Sequence, residues 1–131
     1  MWAQYLHFYA ARVPEDTSTA TFGRLCGRSD GLFGYVAEAD ASLVGLAHAV
    51  VHPTTWSTRP VCYLEDLFVE PSARGSGVGR ALIDAVVAEA RVRGAVSVYW
   101  HTQEFNAQAR RLYDTVGRLR SWVVYEIDTA P

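Results

Sequence analysis

The chain has 131 residues, of which 50% are hydrophobic and 20% charged, and its formal net charge is −2 at pH 7. This length provides one domain with one hydrophobic core. All 12 basic residues are arginines and the charge is nearly balanced, which argues against a nucleic-acid-binding surface. No segment approaches the roughly 20 apolar residues of a membrane span, and no leader pattern opens the chain, so a cytoplasmic protein is expected.

Two helices are predicted at the start. Apolar residues recur there at helical spacing, at Trp2, Tyr5, Leu6 and Tyr9. Pro14 then closes this first helix. Acidic and hydroxyl residues at 15–19 precede a second apolar group at 22–26, which predicts a short helix ending near Gly27.

Strands follow these helices. Residues 32–38 and 43–51 predict a hairpin that turns at Asp40. The segment 52–60 contains two prolines and is predicted to be a loop. Residues 61–70 predict a strand. Strict alternation gives this strand one face of Cys62, Leu64 and Phe68 and another of Tyr63, Leu67 and Val69.

The second half of the chain alternates helices and strands. The apolar residues of 78–86 indicate an amphipathic helix that stops at Gly94. Residues 95–102 are β-branched and aromatic and predict a strand, 106–117 predict a helix, and 121–127 predict the last strand. The sum is a mixed α/β fold in which helices flank a sheet.

Three alternate glycines, Gly75, Gly77 and Gly79, lie where a strand passes into a helix. Glycines there let the backbone turn tightly and approach a ligand without obstruction by a Cβ atom. The unpaired amides of the first helical turn favour an anion, and Arg74 and Arg80 add positive charge. The segment predicts a diphosphate-binding turn, and a tight turn without a ligand is the structural alternative.

The spacing of these glycines narrows the choice of ligand. A dinucleotide fingerprint would need glycine where Arg80 stands, and the P-loop pattern is absent. The segment instead matches the R-x-x-G-x-G motif of the GNAT superfamily of N-acetyltransferases, at Arg74, Gly77 and Gly79. The stretches YLEDLFV and VYWHTQEFNAQARRLYDTVG resemble the other two family motifs and occur in the family's order. They are most similar to spermidine/spermine acetyltransferases and fungal histone/polyamine acetyltransferases.

The resemblance implies an α/β fold with a mixed, mostly antiparallel central sheet flanked by helices, and it implies acetyl-coenzyme A (acetyl-CoA) as cosubstrate. In the family the glycine loop binds the pyrophosphate, and a bulged strand leaves backbone amides free for the pantetheine and the acetyl carbonyl. Carried over to this chain, the cofactor-binding residues are Leu67, Phe68, Val69, Arg74, Gly75, Ser76, Gly77, Val78, Gly79, Arg80 and Asn106.

The resemblance assigns Tyr113 as the acid that protonates the leaving thiolate, and Asn106 as a neighbour of the pantetheine arm. These residues are seven apart, about two helical turns, so they should share one side of a helix. The alternative for Asn106 is a helix N-cap, which is compatible with the first role. The alternative for Tyr113 is an aromatic packing residue.

Glu65 and Asp66 are adjacent carboxylates in a predicted strand, and alternation places them on opposite faces. A core strand rarely carries two carboxylates without use, so at least one should face the cleft. By resemblance, Glu65 is the second catalytic residue, which accepts the proton of the amine directly or through water. Asp66 either binds a cationic substrate or pairs with an arginine.

Substrate contacts are assigned to Asp66, Trp56 and Glu104. Together with Glu65 and Glu70, the acidic residues favour a cationic acceptor: a polyamine, a basic amino acid or a lysine side chain. A solvated acidic rim is the alternative.

The cysteines and histidines indicate no further site. Cys26 and Cys62 have no metal-ligand or disulfide spacing and are predicted to be reduced, packed thiols. His48 and His52 share a strand face without a completing ligand, so no metal is predicted, and packing or solvent contact is expected also for His101.

The chain departs from the family pattern at its start, because it opens on a helix where the family usually has a strand. This predicts a sheet that lacks the usual first strand. In the fungal branch the final strand lies in a dimer, and an apolar edge strand favours such pairing. Residues 121–127 are therefore a candidate intersubunit strand of a homodimer.

The sequence therefore predicts a single-domain N-acetyltransferase, residues 1–131, that moves an acetyl group directly from acetyl-CoA to a primary amine of a small or peptidic substrate. Two alternatives belong to other classes. One is a non-catalytic sensor or interaction module that binds acyl-CoA, and the other is a structural dimerisation domain.

Overall fold

The polypeptide forms two helices before it enters a four-stranded sheet. The computed structural model describes residues 1–130, which divide into two compact units, Met1–His101 and a second unit that begins at Thr102. The first unit contains α1 (Trp2–Phe8), α2 (Glu15–Gly27), β1 (Leu32–Ala39), β2 (Ser42–Thr54), β3 (Ser57–Val69), a 3-10 turn (Pro71–Ala73), α3 (Val78–Val92) and β4 (Val98–Tyr99). The second unit contains α4 (Ala107–Val116).

The sheet has the strand order β1-β2-β3-β4. The first three strands are antiparallel neighbours, and β4 is parallel to β3 after the crossover through α3. The predicted mixed, mostly antiparallel sheet is therefore confirmed. β4 is much shorter than the predicted strand 95–102, because it pairs with β3 only at Cys62↔Val98 and Tyr63↔Tyr99.

The long β2–β3 hairpin contradicts the predicted loop at 52–60. Here β2 continues to Thr54 and β3 begins at Ser57, so only two residues form the turn. The pairing skips Pro53, between His52↔Val61 and Thr54↔Ser57. A proline without an amide hydrogen fits such an irregularity, and so it does not end the strand.

A β-bulge interrupts the pairing of β2 and β3 at Glu65. Asp66 pairs with His48 and Leu64 pairs with Ala49, which leaves Glu65 as the extra residue. One extra residue reverses the alternation of side chains along the strand.

The bulge overturns the predicted faces of this strand. Leu67 and Val69 share a face with Cys62 and Leu64 instead of opposing them, since all four pair with alternate residues of β2. Phe68 lies on the opposite face, together with Tyr63 and Asp66, because these three residues pair with the intervening residues of β2. The sheet therefore has an apolar core on both faces.

Helix α3 covers one face and helices α1 and α2 cover the other. The buried residues of α3 recur at helical spacing, as predicted: Leu82, Ile83, Val86 and Ala90. On the opposite face the Tyr5 ring packs edge-on against Phe68 at 6.2 Å between centroids. A Cβ atom added at Gly34 would lie 3.5 Å from Leu25, which places α2 against the same face.

The second unit contains α4 and the C-terminal segment. The carboxamide of Asn106 accepts a hydrogen bond from the amide of Ala109 at 3.3 Å, so the predicted N-cap is confirmed. The predicted strand at 121–127 is wrong, because within residues 1–130 this segment has no regular structure and no partner strand. A strand needs a neighbour for its backbone groups, and its apolar side chains are exposed here.

The two cysteines differ in their surroundings. Cys62 is fully buried in the sheet, and burial raises the pKa of its thiol to about 11, which fits the predicted packed thiol. Cys26 is exposed on α2, so the prediction of a packed side chain is wrong there. Among residues 1–130, no helix has the length and apolar character needed to cross a membrane.

Gly45 lets α3 approach the sheet closely. A Cβ atom at this position would lie 2.9 Å from Cδ1 of Leu82 and 3.0 Å from Cγ1 of Val78 and the carbonyl oxygen of Phe68. These distances leave no room for a methyl group without a shift of the helix. Gly45 therefore sets the position of the first turns of α3.

We expect Gly45→Ala to lower the free energy of unfolding by about 1–3 kcal/mol, because the added methyl group overpacks the contact with α3. Urea unfolding measures this change. The matched control is Gly23→Ala in α2, where an added Cβ meets no atom within 4 Å and helix propensity should raise stability by about 0.5–1 kcal/mol. Equal midpoints for Gly45→Ala and the wild type would contradict the close approach.

Candidate active site

The glycine segment connects the 3-10 turn to α3. Gly77 is the N-cap of α3 with φ +90°, and Gly75 has φ +78°. Both values lie in the left-handed region that favours glycine. An added Cβ at either position meets no atom within 4 Å, so the backbone faces open space there. The glycines are required by the backbone conformation, and they leave the start of the helix accessible to a ligand.

The first turn of α3 offers free amide groups. The amide of Ala81 makes the first bond of the helix, to the carbonyl oxygen of Gly77, and no side chain of the described residues caps this end. The amides of Val78, Gly79 and Arg80 therefore have no acceptor within the helix. Together with the helix dipole they form a site for an anion.

The two arginines of the loop have different partners. Nε of Arg74 donates a hydrogen bond to the carbonyl oxygen of Val69 at 3.0 Å, and its guanidinium lies 5.3 Å from the centre of the Phe8 ring. Arg74 thus connects the loop to β3 and α1. Nε of Arg80 lies 3.1 Å from the Asp84 carboxylate one turn along the exposed face of α3, so Asp84 neutralises part of its charge. The Ser76 hydroxyl donates to the carbonyl oxygen of Ala73.

The edge of β3 beyond Tyr63 is open on the side of β4, since no other strand of residues 1–130 pairs with it there. On the other side, the amide of Glu70 bonds to the carbonyl oxygen of Val44 at 2.8 Å. Ladder bonds alternate along an antiparallel pair, so the Phe68 amide also points to β2. The amides of Leu67 and Val69 consequently point to the open edge.

The bulge brings Asp66 against His48. Nδ1 of His48 lies 3.0 Å from Oδ2 of Asp66, and each side chain is only 16% exposed. Burial, followed by the hydrogen bond and charge of Asp66, raises the pKa of Tyr5 far above its ordinary value. Of the two sequence alternatives, the arginine partner of Asp66 is wrong: within residues 1–130 its ion-pair partner is a histidine.

Glu65 lies on the same side as Asp66. Partial burial and then the charge of Asp66 raise the pKa of Glu65, whereas His48 and Arg24 oppose this rise. Arg24 belongs to α2 and His48 contacts Trp2 of α1. Because both act on the pKa of Glu65, its carboxyl group lies on the face of the sheet that α1 and α2 cover. The prediction of opposite faces for Glu65 and Asp66 is therefore wrong, because a bulge breaks the alternation on which it rested.

Aromatic residues surround the carboxylates. Trp2 stacks on Tyr5 at 5.2 Å between ring centres on the α1 side. On the side of β4, Tyr63 stacks on Tyr99 at 5.0 Å, and the Tyr63 hydroxyl lies 3.2 Å from Nδ1 of His101. The point at which β3 and β4 separate is thus lined by aromatic and imidazole rings.

Two acidic residues from the sequence analysis have structural partners. Oε1 of Glu70 accepts a hydrogen bond from Gln4 at 3.1 Å, and its other oxygen accepts one from Ser72 at 3.1 Å. These contacts connect α1 to the loop after β3. The backbone carbonyl of Glu104, in the second unit, accepts a hydrogen bond from Arg110 at 2.7 Å.

The structure does not bring Trp56 together with Asp66. Trp56 lies in the turn of the β2–β3 hairpin and is 89% exposed. Nine positions along β3 separate it from Glu65, or roughly 30 Å of extended strand. Asn106, the N-cap of α4, and Tyr113, within this helix, are both half-buried, and their shared side stays a prediction from their spacing.

Sequence reasoning missed His48 and Tyr5 as neighbours of the carboxylates. His48 and Asp66 are 18 residues apart and meet only because the register across the bulge places them opposite each other. The family resemblance implies a bulge in this strand, but the residues do not show its position. A histidine and a tyrosine in otherwise apolar segments were the only available signals.

Comparison with known proteins places this chain in a family. Residues 2–117 match the acetyltransferase (GNAT) family. A D-amino-acid N-acetyltransferase of Saccharomyces cerevisiae is 34% identical over 128 residues, which cover 96% of this chain and 80% of that protein. A thialysine N-epsilon-acetyltransferase of Caenorhabditis elegans is 28% identical over 76% of this chain, which spans 63% of its length.

A solved structure extends this similarity to the fold. The aminoglycoside N-acetyltransferase AAC(6')-Iy, in complex with the bisubstrate analogue CoA-S-monomethyl-acetylneamine, superposes with a TM-score of 0.78 at 26% identity. The match covers 90% of this chain and 82% of that one. This chain belongs to the GNAT family of acetyltransferases, and the predicted N-acetyltransferase class and fold are confirmed.

Proposed function

We propose that the protein transfers the acetyl group of acetyl-CoA directly to a primary amine of a small, cationic acceptor within a ternary complex. The observation that carries this proposal is the open, glycine-lined and uncapped start of α3 in a GNAT chain. The similarity to a protein crystallised with a CoA bisubstrate analogue supports the choice of cosubstrate.

The residues of the first unit fit acetyl-CoA. The amides of Val78, Gly79 and Arg80 suit a pyrophosphate, since they are free donors at a helix N-terminus. The amides of Leu67 and Val69, on the open edge of β3, suit the pantetheine and the acetyl carbonyl. When bound, acetyl-CoA supplies an activated thioester.

Glu65 is the proposed acceptor of the amine proton. An alkylamine has a pKa of about 10.4 and must lose a proton before it can attack a carbonyl carbon. Burial and Asp66 raise the pKa of Glu65, which makes it a stronger base than an ordinary glutamate. His48 and Arg24 oppose this rise and so favour the ionised form that accepts a proton.

Tyr113 is the proposed acid, by the family resemblance of its motif. A phenol with a pKa of about 10 can donate its proton to the departing sulfur as the carbon–sulfur bond breaks. Asn106, the N-cap of the same helix, is the proposed neighbour of the pantetheine arm. The proton that leaves the amine thus passes to Glu65, and the proton that reaches the sulfur comes from Tyr113.

The acceptor is proposed to be cationic because Glu65 and Asp66 lie side by side at the bulge. A D-amino acid or thialysine, the substrates in the names of two relatives, would suit these carboxylates, as would a polyamine or a lysine side chain. The finer likeness to the polyamine and histone acetyltransferases stays a prediction, as does a cytoplasmic location.

A homodimer is proposed from the C-terminal segment. Six large apolar side chains between residues 119 and 127 are at least 68% exposed: Leu119, Trp122, Val123, Val124, Tyr125 and Ile127. Pairing with a second copy would bury them. Sedimentation velocity should therefore give a dimer that Val124→Asp dissociates. A wild-type monomer at all concentrations would contradict this.

The first test of the function is calorimetric titration with acetyl-CoA, followed by thiol release with spermidine, lysine, thialysine, D-amino acids and a histone-tail peptide. We expect micromolar binding and release with at least one amine. Gly77→Val should weaken binding at least tenfold, because a β-branched residue at φ +90° displaces the amides of the first turn.

Gly94→Val is the matched control for that variant. Gly94 also has a positive φ, +81°, with no atom within 4 Å of an added Cβ, but it follows the other end of α3. It should lose similar stability and bind acetyl-CoA like the wild type. Equal binding by Gly77→Val and the wild type would contradict the anion site, and binding without turnover of any amine would favour a sensor.

Tyr113→Phe should lower kcat by about 100-fold while the affinity for acetyl-CoA changes less than twofold, because only the proton donor is lost. Steady-state kinetics and calorimetry on the same preparation measure both quantities. Tyr35→Phe in β1 is the control, because its hydroxyl contacts Glu89 of α3 and no residue of the proposed site, and it should leave kcat unchanged. An unchanged kcat in Tyr113→Phe would remove the tyrosine from the role of acid.

A further inference from the structure

His48 is fixed in place by three elements of the first unit. Its Nδ1 atom lies 3.0 Å from the Asp66 carboxylate on β3. The indole of Trp2, on α1, lies 5.4 Å from the imidazole between ring centres. On β1, a Cβ atom added at Gly34 would lie only 3.1 Å from Cδ2 of His48, so the ring occupies space that only glycine leaves open. This imidazole therefore has little freedom to turn away from Asp66.

The pair lies next to the bulge. Glu65 has no cross-strand partner, whereas Asp66, the following residue, is opposite His48. Asp66 also raises the pKa of Tyr5 from α1, which places the Tyr5 hydroxyl near this carboxylate. The Asp66 carboxylate is thus held by His48 of β2 and lies near Tyr5 of α1, whereas the Glu65 carboxylate makes no hydrogen bond or ion pair with a side chain of these two elements.

We propose that His48 is a positioning residue for acetyl transfer, which holds Asp66 and thereby leaves Glu65 as the carboxylate that faces the acceptor amine. This inference rests on the proposed function. It assigns different tasks to two adjacent carboxylates: Asp66 is structural and supplies charge, and Glu65 exchanges the proton.

Asp66 and His48 have opposite effects on the pKa of Glu65. The groups that face it are Tyr5 from α1, Arg24 from α2, His48 from β2, and Tyr63 and Asp66 from β3. Asp66 raises the pKa of Glu65, and His48 lowers it. Since Glu65 must be ionised to accept a proton, kcat/KM falls at acidic pH as Glu65 becomes protonated.

The test compares the pH profile of kcat/KM for the wild type, Asp66→Asn, His48→Leu and His48→Asn. Asp66→Asn removes a negative charge, so the acid limb should move to lower pH. His48→Leu removes the partner that offsets Asp66, so the limb should move to higher pH, and kcat should fall at least tenfold. In His48→Asn, Nδ2 takes the place of the imidazole Nδ1 and should restore kcat to within threefold of the wild type.

His52→Leu is the matched control, because His52 is on the same strand but contacts Tyr99 and the carbonyl oxygen of Pro53 instead of a carboxylate. It should leave the acid limb in place. The inference would be overturned if the acid limb of kcat/KM stayed in place in Asp66→Asn and in both His48 variants. It would also be overturned if the limb moved in the same direction in all three. If His48→Leu fails to fold, the other two variants decide.

An NMR titration of the Glu65 side-chain carboxyl carbon, without substrates, separates this inference from the proposed function. Opposite shifts of the Glu65 pKa in Asp66→Asn and His48→Asn support the pairing. If the wild type transfers no acetyl group, the proposed function fails and the positioning role fails with it, whatever the titration gives. If the wild type is active and neither variant shifts the Glu65 pKa, only the His48 inference fails.

Discussion

The β-bulge at Glu65 is the feature on which the rest of the first unit depends. One extra residue between Leu64 and Asp66 reverses the side-chain alternation of β3. It lets the N-terminal half of the strand face α3 with Cys62 and Leu64, while Phe68 in the C-terminal half packs against α1. It also turns both carboxylates to the face of α1 and α2. A regular strand with the same residues would bury one carboxylate beneath α3, where a charge without a partner is costly.

The elements of regular period were predictable from the sequence. The amphipathic pattern of α3, the first hairpin and the turn around Gly77 are local features, so their residues specify them directly. The glycine turn was predictable for the same reason, and Gly75 and Gly77 adopt there the positive φ values that glycine tolerates. This local information also identified the family, since three short motifs in order are a specific signal.

The remaining features depend on contacts between distant parts of the chain. The family resemblance implies a bulge in this strand, but residues 61–70 do not show where it lies, because its position depends on the register of β3 against β2. The partnership of His48 and Asp66 follows only from that register. The two prolines of 52–60 favour a loop in the sequence analysis, but the β2–β3 hairpin includes this segment. Proline is tolerated there because the pairing is irregular. The segment 121–127 has strand composition, but composition cannot supply the neighbour that a strand requires.

Strand β2 sets the distance between the anion site at the start of α3 and the carboxylates of β3. At Gly45 it sets the position of the first turns of α3, and three residues later it provides His48 for the carboxylates. Those three steps span about 10 Å of extended chain. An insertion or deletion of one residue between them would turn the histidine to the α3 face and change the spacing between the anion site and the proton acceptor. Natural variation in length should therefore be absent from 45–48 and concentrate in the turn at Thr55 and Trp56, which sets neither distance.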